Sequence, residues 1–380
     1  MVQRLRVVYL DWNATTPLAP EVADAMRTAI GVSMGNPASV HGAGRRARRF
    51  VEDARAAVSE LAGVDPRDVV LTSGGTEANN LALTSAFDES GGTLVVGTIE
   101  HPSITRTAAA LEARGVRVAW VEPTPEGALP VERFREAIER SERVRLVSLQ
   151  AVNHETGVVQ AVGEVADLAR RAGALFHCDA VQAAGRLAPE LFRGADLLSI
   201  ASHKLRGPKG IGALATLCGV KLRPLLTGGE QERGVRPGTQ DPIACAGFAA
   251  AVAHAAAGPS RYEAVRSLRD ELEGGLLSLG RPGHRVERNG GGDRAPHVTN
   301  LSFEGWLGPE LAAALDLEGV CVSSGSACSA GTADPSPVLT AMLGSERARN
   351  AIRISLGEDT SRLDVVEALS VFNRILARTS

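Results

Sequence analysis

Seven short apolar runs between residues 69 and 217 constrain the fold more than any other feature. Helix-like stretches, with apolar residues three or four positions apart, separate most of them. The runs are VVLT (69–72), TLVVGT (93–98), VRVAWV (116–121), VRLVSL (144–149), ALFHCD (174–179), DLLSIA (196–201) and IGALATL (211–217). Such alternation is typical of βαβ units. The sequence therefore predicts an α/β fold whose large domain contains a mainly parallel seven-stranded sheet.

The last two runs depart from this pattern. Only the turn SHKLRGPKG separates the run 196–201 from the run 211–217. A parallel crossover needs about a dozen residues or more, so this connection is too short for one. We therefore predict that the last two strands are antiparallel neighbours.

The composition changes after the sheet region. An alanine-rich helix is predicted over 244–258, and a charged helix over 261–276 marks the start of a smaller α/β domain. Further elements are predicted at 297–303 (strand), 308–318 (helix), 351–356 (strand) and 361–377 (helix). The glycine-rich segment 287–296 is predicted to be a surface loop.

Charge and cysteine usage exclude several classes of protein. The 41 basic and 44 acidic residues leave a net charge of −3, which gives no broad field for nucleic acid or an anionic membrane. The five cysteines are odd in number and lack CxxC spacing, which argues against a disulfide framework and a structural zinc site. The N-terminus has no apolar stretch typical of a secretion signal. We therefore expect a protein of the reducing cytoplasm, with no nucleic-acid or membrane partner.

The segment TSGGTEANN (72–80) is a candidate phosphate site. It joins the end of an apolar run to a helix-like stretch through two glycines. This arrangement directs free backbone N–H groups at an anion on the helix N-terminus, and Gly74, Gly75 and Thr76 would hold it. A plain capped connection is the alternative. The segment contains neither GxGxxG nor GK[ST], so neither a Rossmann dinucleotide site nor a P-loop is supported.

Asp179 ends an apolar run that should be buried in the middle of the sheet. A buried carboxylate needs a partner, and the protonated nitrogen of a pyridine ring is one suitable cation. The alternative is that Asp179 caps the next helix.

Lys204 follows another apolar run, in the segment Ser202-His203-Lys204. In open α/β sheets ligands bind at the carboxyl ends of strands, where a lysine in a dry site is suited to form a Schiff base. We therefore predict pyridoxal 5'-phosphate on Lys204, with Ser202 and His203 bonding its phosphate. Lys209 is the competing lysine, but it lies inside the turn.

Motifs along nearly the whole chain resemble the class V aminotransferase family, and specifically its cysteine desulfurases of the NifS/IscS type. They are YLDWNATTP (9–17), GNPASVHGAGR (35–45), TSGGTEANNLA (72–82), EHPS (100–103), VNHETGVVQ (152–160), HCDAVQ (177–182), SHKLRGPKGIGAL (202–214), RPGTQD (236–241), SSGSACSAG (323–331) and IRISLG (352–357). The resemblance implies the fold of type I transferases dependent on pyridoxal phosphate. It implies a large cofactor domain over 16–258, a small domain over 259–380, and an N-terminal segment, 1–15, that joins the small domain.

The resemblance also implies roles around the cofactor. Lys204 would carry the cofactor, Asp179 would face its pyridine nitrogen, and His101 would stack on its ring and assist proton transfer. Gln182 would bond near the phenolic oxygen, and the phosphate would be held by Gly75, Thr76, Ser202 and His203. Thr239 resembles the residue that reaches the phosphate of the neighbouring subunit, which implies a homodimer with shared sites.

Substrate binding is implied for two residues. Arg353 resembles the residue that binds the substrate carboxylate, for which a guanidinium fork is suited, and Asn36 would assist. One position departs from the family pattern, because His154 stands where an asparagine is common. Histidine can still donate one N–H to the cofactor oxygen. It could also alter the protonation of the cofactor near neutral pH.

Cys328 lies in the segment SSGSACSAGTADPSP (323–337), whose composition predicts a mobile loop. In the NifS/IscS type the persulfide-forming cysteine occupies this place. The resemblance thus implies a cysteine desulfurase that converts L-cysteine to L-alanine and passes sulfur to an acceptor such as an iron–sulfur scaffold. It implies no resident metal and leaves open a transient contact of Cys328 with a cluster.

Three other functions stay open at this stage. A selenocysteine lyase or another class V enzyme would use the same cofactor, and transamination would not need Cys328. A non-enzymatic sulfur-assembly scaffold is the third. The receiving pathway and the selectivity for cysteine over selenocysteine cannot be read from the residues.

Overall fold

A computed structural model describes residues 6–88, 91–217, 219–325 and 334–377. Its strands are β1 (Val8–Tyr9), β2 (Val69–Thr72), β3 (Thr93–Gly97), β4 (Arg117–Val121), β5 (Val144–Gln150), β6 (Leu175–Asp179), β7 (Leu197–Ala201), β8 (Gly212–Thr216), β9 (Val286–Arg288), β10 (Val298–Phe303), β11 (Val320–Cys321) and β12 (Ala351–Ser355). Its helices are α1 (Pro20–Val32), α2 (Gly42–Ala62), α3 (Gly75–Ser85), α4 (Pro102–Glu112), α5 (Val131–Glu139), α6 (Val162–Arg171), α7 (Pro242–Ala255), α8 (Gly258–Leu277), α9 (Gly308–Leu317), α10 (Pro337–Leu343), α11 (Ser345–Arg349) and α12 (Arg362–Leu376).

The central sheet has seven strands in the order β2-β8-β7-β6-β5-β3-β4. Strand β8 is antiparallel to both of its neighbours, β7 and β2, whereas every other neighbouring pair is parallel. The predicted α/β class, the mainly parallel sheet and the antiparallel last pair are confirmed.

Helices cover both faces of this sheet. Strands β2, β3, β7 and β8 are buried along their whole length, as their uninterrupted apolar runs predict. Helix α3 packs against β7 and β8 on one side, and α6 packs against β5 and β6. Because helices cover both faces of the sheet, a polar site is expected at the carboxyl ends of the parallel strands.

A second, smaller sheet lies in the C-terminal part of the chain. It has the order β12-β10-β9 and is antiparallel, and a separate two-stranded parallel pair joins β1 to β11. Val8 and Leu10 of the N-terminal segment belong to the same apolar cluster as residues of α8, α9 and α12. The apolar side chains of α10 pack instead with the core of the central sheet. The domain boundaries given by the resemblance stay a prediction.

The glycine-rich segment 287–296 differs from the predicted surface loop. Residues 286–288 form β9, and Asn289, Arg294 and Ala295 are buried. The segment is held by backbone bonds from Val159 N to Asp293 O at 2.9 Å and from Ala295 N to Gly157 O at 2.8 Å. These partners lie more than a hundred residues away in the sequence, so local composition could not indicate the burial.

Among the described residues, no single helix combines the length and the apolar character that a membrane crossing requires. Helices α7 and α8 reach that length and apolar composition only when they are taken together, and the chain bends by 65° between them.

Candidate active site

A cavity of about 190 Å³ opens at the carboxyl ends of β5, β6 and β7. It lies where ligands bind in open α/β sheets. Nine of the residues named from the sequence line it: Gly75, Thr76, His101, His154, Asp179, Gln182, His203, Lys204 and Arg353. The fold thus brings together residues from Gly75 to Arg353, which lie far apart in the chain.

The turn from β2 to α3 forms one end of the cavity. No described side chain caps the N-terminus of this eleven-residue helix, whose first N–H groups have no partner within the helix. A Cβ atom on Gly75 would lie 2.8 Å from Cγ2 of Val181, so only glycine fits there without a shift. The turn can therefore bring backbone N–H groups close to an anion.

A chain of hydrogen bonds joins the carboxylate of Asp179 to the ring of His101. Asp179 is 6% exposed and accepts from Val181 N at 3.0 Å and from Asn79 Nδ2 at 2.7 Å. Asn79 Nδ2 also donates to Ser103 Oγ at 2.8 Å. Ser103 Oγ lies 2.8 Å from His101 Nδ1. Because Ser103 Oγ accepts from Asn79, its own hydrogen is directed at the imidazole.

These contacts fix the form of the His101 ring. Its Nδ1 accepts from Ser103 N at 3.1 Å as well as from Ser103 Oγ. Burial lowers the pKa of His101, and the charge of Lys204 acts in the same direction against the opposing effect of Asp179. The imidazole is therefore neutral at pH 7 with its hydrogen on Nε2.

Lys204 sits in the short helical turn that follows β7. Its Nζ donates to the backbone carbonyl of Ala14 at 2.8 Å and to that of Asn13. Asn13 O also accepts from Gln182 Nε2 at 3.2 Å. The N-terminal segment therefore holds both the amine of Lys204 and the amide of Gln182 at the cavity wall.

Arg353 is 2% exposed, on β12 of the small sheet. Its Nη2 lies 2.7 Å from Asp11 Oδ1, and its Nη1 donates to His154 O at 3.2 Å. Its Nε is buried and has no hydrogen-bond partner among the described residues. A buried guanidinium with unused donors at a cavity wall is suited to bind a carboxylate.

His154 packs edge-on against His101, with 5.2 Å between the ring centroids. Within the part of the chain that the structure describes, neither of its ring nitrogens makes a hydrogen bond, although Nε2 lies 3.6 Å from Glu155 Oε1. Burial, together with the charges of nearby cationic side chains, holds the pKa of His154 well below its ordinary value. The ring is therefore neutral and keeps one N–H and one lone pair for a ligand.

Four described residues that the sequence proposed for the site do not line the cavity: Gly74, Ser202, Asn36 and Thr239. Ser202 is fully buried, and its Oγ lies next to Gly207 with no hydrogen-bond partner in the described ranges. Asn36 and Thr239 are exposed on the surface. Cys328 lies outside the described residues.

The three cysteines that the structure describes are poor candidates for the nucleophile. Cys178 and Cys245 are buried, and burial raises the pKa of the Cys245 thiol to about 12 and that of Cys178 well above its ordinary value. Burial and Asp316 raise the pKa of Cys321. A reactive cysteine needs a lowered pKa, and none of these three has one.

Sequence reasoning gave no role to Asn13, Asn79 and Ser103, which all line the cavity. Asn13 and Asn79 lie within quoted motifs, and Ser103 lies two positions after His101. The available sequence signals are the amide of Asn79 inside a glycine-rich turn motif and the hydroxyl of Ser103 at the start of a helix. Their roles depend on contacts between distant segments, which a single sequence does not contain.

Comparisons with known proteins agree over nearly the full length. The family model described as Aminotransferase class-V matches residues 8–368. The chain is 43% identical over 376 residues to a cysteine desulfurase of Cereibacter sphaeroides, covering 97% of this chain and 95% of that protein. It is 36% identical to an IscS-like cysteine desulfurase of Mycobacterium tuberculosis, covering 98% of this chain and 97% of that one.

Solved structures show the same similarity. A NifS-like protein superposes with a TM-score of 0.89 at 31% identity, covering 98% of this chain and all of its own. The apo structure of a cysteine desulfurase from Thermococcus onnurineus NA1 superposes with a TM-score of 0.84 at 25% identity, covering 98% of this chain and 95% of its own.

Proposed function

Because the chain belongs to the aminotransferase class-V family, we propose that it is a cysteine desulfurase dependent on pyridoxal 5'-phosphate. It takes the sulfur from L-cysteine, leaving L-alanine and a persulfide on Cys328. The observation that carries the proposal is the convergence of Lys204, Asp179 and Arg353 on one cavity at the carboxyl ends of the central strands. Relatives named cysteine desulfurase over nearly the whole chain support the same choice.

The residues of the cavity fit this cofactor. The uncapped N-terminus of α3 suits its phosphate, and the carboxylate of Asp179 suits a protonated ring nitrogen. Lys204 supplies the amine, while Gln182 and His154 can each donate an N–H to the ring oxygen. Bound there, pyridoxal phosphate supplies an aldehyde that condenses with amines and a ring that accepts an electron pair.

Of the four residues proposed to hold the phosphate within one chain, three line the cavity and one does not. Gly75, Thr76 and His203 line the cavity. Burial and the charge of Lys204 lower the pKa of His203 to about 3, so its imidazole is neutral and would bond the phosphate by an N–H group. Ser202 would need to turn its hydroxyl away from Gly207 to reach the phosphate.

The substrate carboxylate would bind Arg353. The ion pair of this arginine with Asp11 leaves Nε and part of Nη2 for a second carboxylate. Asn36 is exposed and would assist only if the neighbouring segment approached the site. Lys204 Nζ would take the proton from the α-carbon, because the carbonyls of residues 13 and 14 hold it at the cavity.

The sulfur step uses a thiolate, which is the nucleophilic form of cysteine. After Cys328 loses its proton, its sulfur forms an S–S bond with the substrate sulfur while the C–S bond of the substrate breaks. The electron pair of the C–S bond stays on carbon, which takes up a proton and becomes the methyl group of alanine. The persulfide sulfur then leaves to an acceptor thiol.

The proposal includes a homodimer in which Thr239 of one subunit reaches the phosphate of the other, and a protein acceptor such as an iron–sulfur scaffold. The exposure of Thr239, away from the cavity of its own chain, is consistent with that arrangement. The proposed location is the reducing cytoplasm, where thiols stay reduced.

The test is incubation of the purified protein with L-cysteine and a reductant, with sulfide and alanine measured in parallel. Wild type should release both in equal amounts, and Cys328→Ser should release neither while still binding the cofactor. Cys178→Ser is the matched control, because this buried cysteine is predicted to have no chemical role, and it should turn over at a rate close to wild type. Normal sulfide release by Cys328→Ser would contradict the persulfide step, and keto-acid formation would identify transamination instead.

A further inference from the structure

A buried arginine beside the cavity has no part in the chemistry described above. Arg186 is 1% exposed, and its guanidinium donates to Trp12 O at 3.2 Å, to Asn13 Oδ1 at 3.1 Å and to Gln182 Oε1. Its Cζ lies 5.6 Å from the ring centroid of Tyr262. Over the ranges that the structure describes, no carboxylate forms an ion pair with it.

These contacts decide which way the amide of Gln182 points. A guanidinium has donors and no acceptor, so the oxygen of the Gln182 amide must face Arg186. Nε2 then faces the other way, where it donates one hydrogen to Asn13 O at 3.2 Å. Gln182 lines the cavity, and with its oxygen turned to Arg186 it offers a ligand an N–H donor.

The same guanidinium fixes the segment that holds Lys204. Asn13 Oδ1 accepts from Arg186 and from His297 Nε2 at 2.9 Å, and the backbone carbonyl of Trp12 accepts from Arg186 as well. The carbonyl of Asn13 accepts from both Gln182 and Lys204. One buried side chain thus determines the position of two groups on the cavity wall.

The burial of the positive charge of Arg186 also requires a physical explanation. Burying a cation without a carboxylate partner is unfavourable, and hydrogen bonds to neutral oxygens offset only part of the lost hydration. An anionic oxygen on a ligand beyond Gln182 would offset this cost. The ring oxygen of pyridoxal phosphate is such a group when it has lost its proton.

We propose that Arg186 is a positioning residue for the cofactor, which orients the Gln182 amide and the Asn13 carbonyl and stabilises an anionic ring oxygen. This inference rests on the proposed function. It predicts that Arg186 acts on cofactor affinity and on the electronic state of the bound ring, in addition to any effect on stability.

The experiment compares Arg186→Met, Arg186→Lys and the control Arg269→Met. Arg269 is also buried, at 3% exposure, and donates to the carbonyls of Ala295 and Val298. Apo-proteins are titrated with pyridoxal phosphate, and the ratio of the visible to the near-ultraviolet absorption band is recorded at one fixed pH. Melting of each apo-protein reports stability separately.

We expect Arg186→Met to weaken cofactor binding at least tenfold and to change the band ratio. Arg186→Lys should weaken binding at least threefold, because an ammonium cannot hold three oxygens in a fixed plane, but should keep a band ratio close to wild type. Arg269→Met should match wild type in both measurements, whatever its melting temperature.

Unchanged binding by Arg186→Lys would overturn the positioning role, and this variant decides the question if Arg186→Met does not fold. An equal loss of affinity in Arg269→Met would also overturn it, because the effect would then be one of general stability. A wild-type protein that does not bind the cofactor would instead contradict the proposed function.

Discussion

His101 illustrates how much a single residue's contacts can decide. Two donors from Ser103 converge on its Nδ1, so the neutral ring presents Nε2–H as a donor and has no free lone pair at Nδ1. The proton-transfer role suggested by the family would require this pattern to change during the reaction. A donor role requires no change, and we therefore predict that hydrogen-bond donation by His101 matters more than uptake of a proton.

Glutamine separates the two roles, since its amide can replace the Nε2–H group but cannot accept a proton at neutral pH. We expect His101→Gln to keep turnover within about tenfold of wild type and His101→Ala to lose about a hundredfold, near the lower end of the range for general acid–base groups. Steady-state sulfide and alanine release measures both. Equal losses of a hundredfold or more in the two variants would identify proton transfer as the essential role.

Among the secondary-structure elements, a polar crosslink inside the central sheet should make stability depend on pH. His177 on β6 lies 2.9 Å from Ser148 Oγ on β5 and 3.0 Å from Ser199 Oγ on β7. Burial lowers the pKa of His177 from 6.5 to about 4. Below pH 6.5 the unfolded chain binds a proton that the folded chain does not, so this histidine contributes stability at neutral pH that is lost as the pH falls toward 4.

The expected size is about 2 kcal/mol of unfolding free energy lost between pH 7 and pH 5 from this one group. Urea unfolding of the apo-protein at the two pH values measures it, and His177→Asn is the comparison because asparagine does not titrate. The other histidines with a lowered pKa, His101, His154, His203 and His297, act in the same direction in both proteins. Parallel pH dependence of wild type and variant would contradict the prediction.

The contact between β8 and the turn after β2 gives a second prediction at this scale. A Cβ atom on Gly212 would lie 2.6 Å from Ile200 O and 2.7 Å from Gly74 Cα, both of which are backbone atoms. Gly212→Ala should therefore displace the turn that leads into α3 and weaken binding of pyridoxal phosphate at least tenfold. Gly163→Ala is the control, because nothing lies within 4 Å of its Cβ position, and its affinity should equal that of wild type. Equal affinities in a cofactor titration of both variants would show that the turn tolerates the shift.

The elements themselves differ in how far the sequence could predict them. The strands of the central sheet follow from their apolar runs, because strands buried on both faces consist mostly of apolar residues. The strand-end positions of Asp179 and Lys204 follow for the same reason. The strap formed by residues 12–14 does not, since its contacts with Lys204 and Ser355 join positions between 190 and 342 residues apart in the chain. The burial of Asn289 and Ala295 is a second example, because it depends on partners in residues 157–159.

Taken as a whole, the molecule has the arginine proposed to bind the substrate and the lysine proposed to bind the cofactor on different sheets. Arg353 belongs to the small sheet and Lys204 follows a strand of the central sheet, while Asn13 bonds to Ser355 Oγ on one side and to Lys204 on the other. The N-terminal segment therefore connects the two layers at the site. A change in the relative position of the sheets would alter the distance between Arg353 and Lys204, so the proposed substrate binding depends on both sheets.

A mixed dimer tests the largest-scale proposal, that two chains share each site. Lys204→Ala abolishes the covalent link to the cofactor in its own cavity but keeps Thr239, whereas Thr239→Val keeps its own lysine. If Thr239 serves the neighbouring cavity, a dimer of one variant with the other contains one complete site.

Two affinity tags allow the mixed dimer to be isolated. We expect half of its cavities to bind pyridoxal phosphate with wild-type affinity and to be fixed by borohydride, while Thr239→Val homodimers bind more weakly. Each chain carries only one of the two changes. If each site were built within a single chain, the mixed dimer would therefore bind pyridoxal phosphate no more tightly than the Thr239→Val homodimer. A monomer in sedimentation would also contradict the sharing of sites.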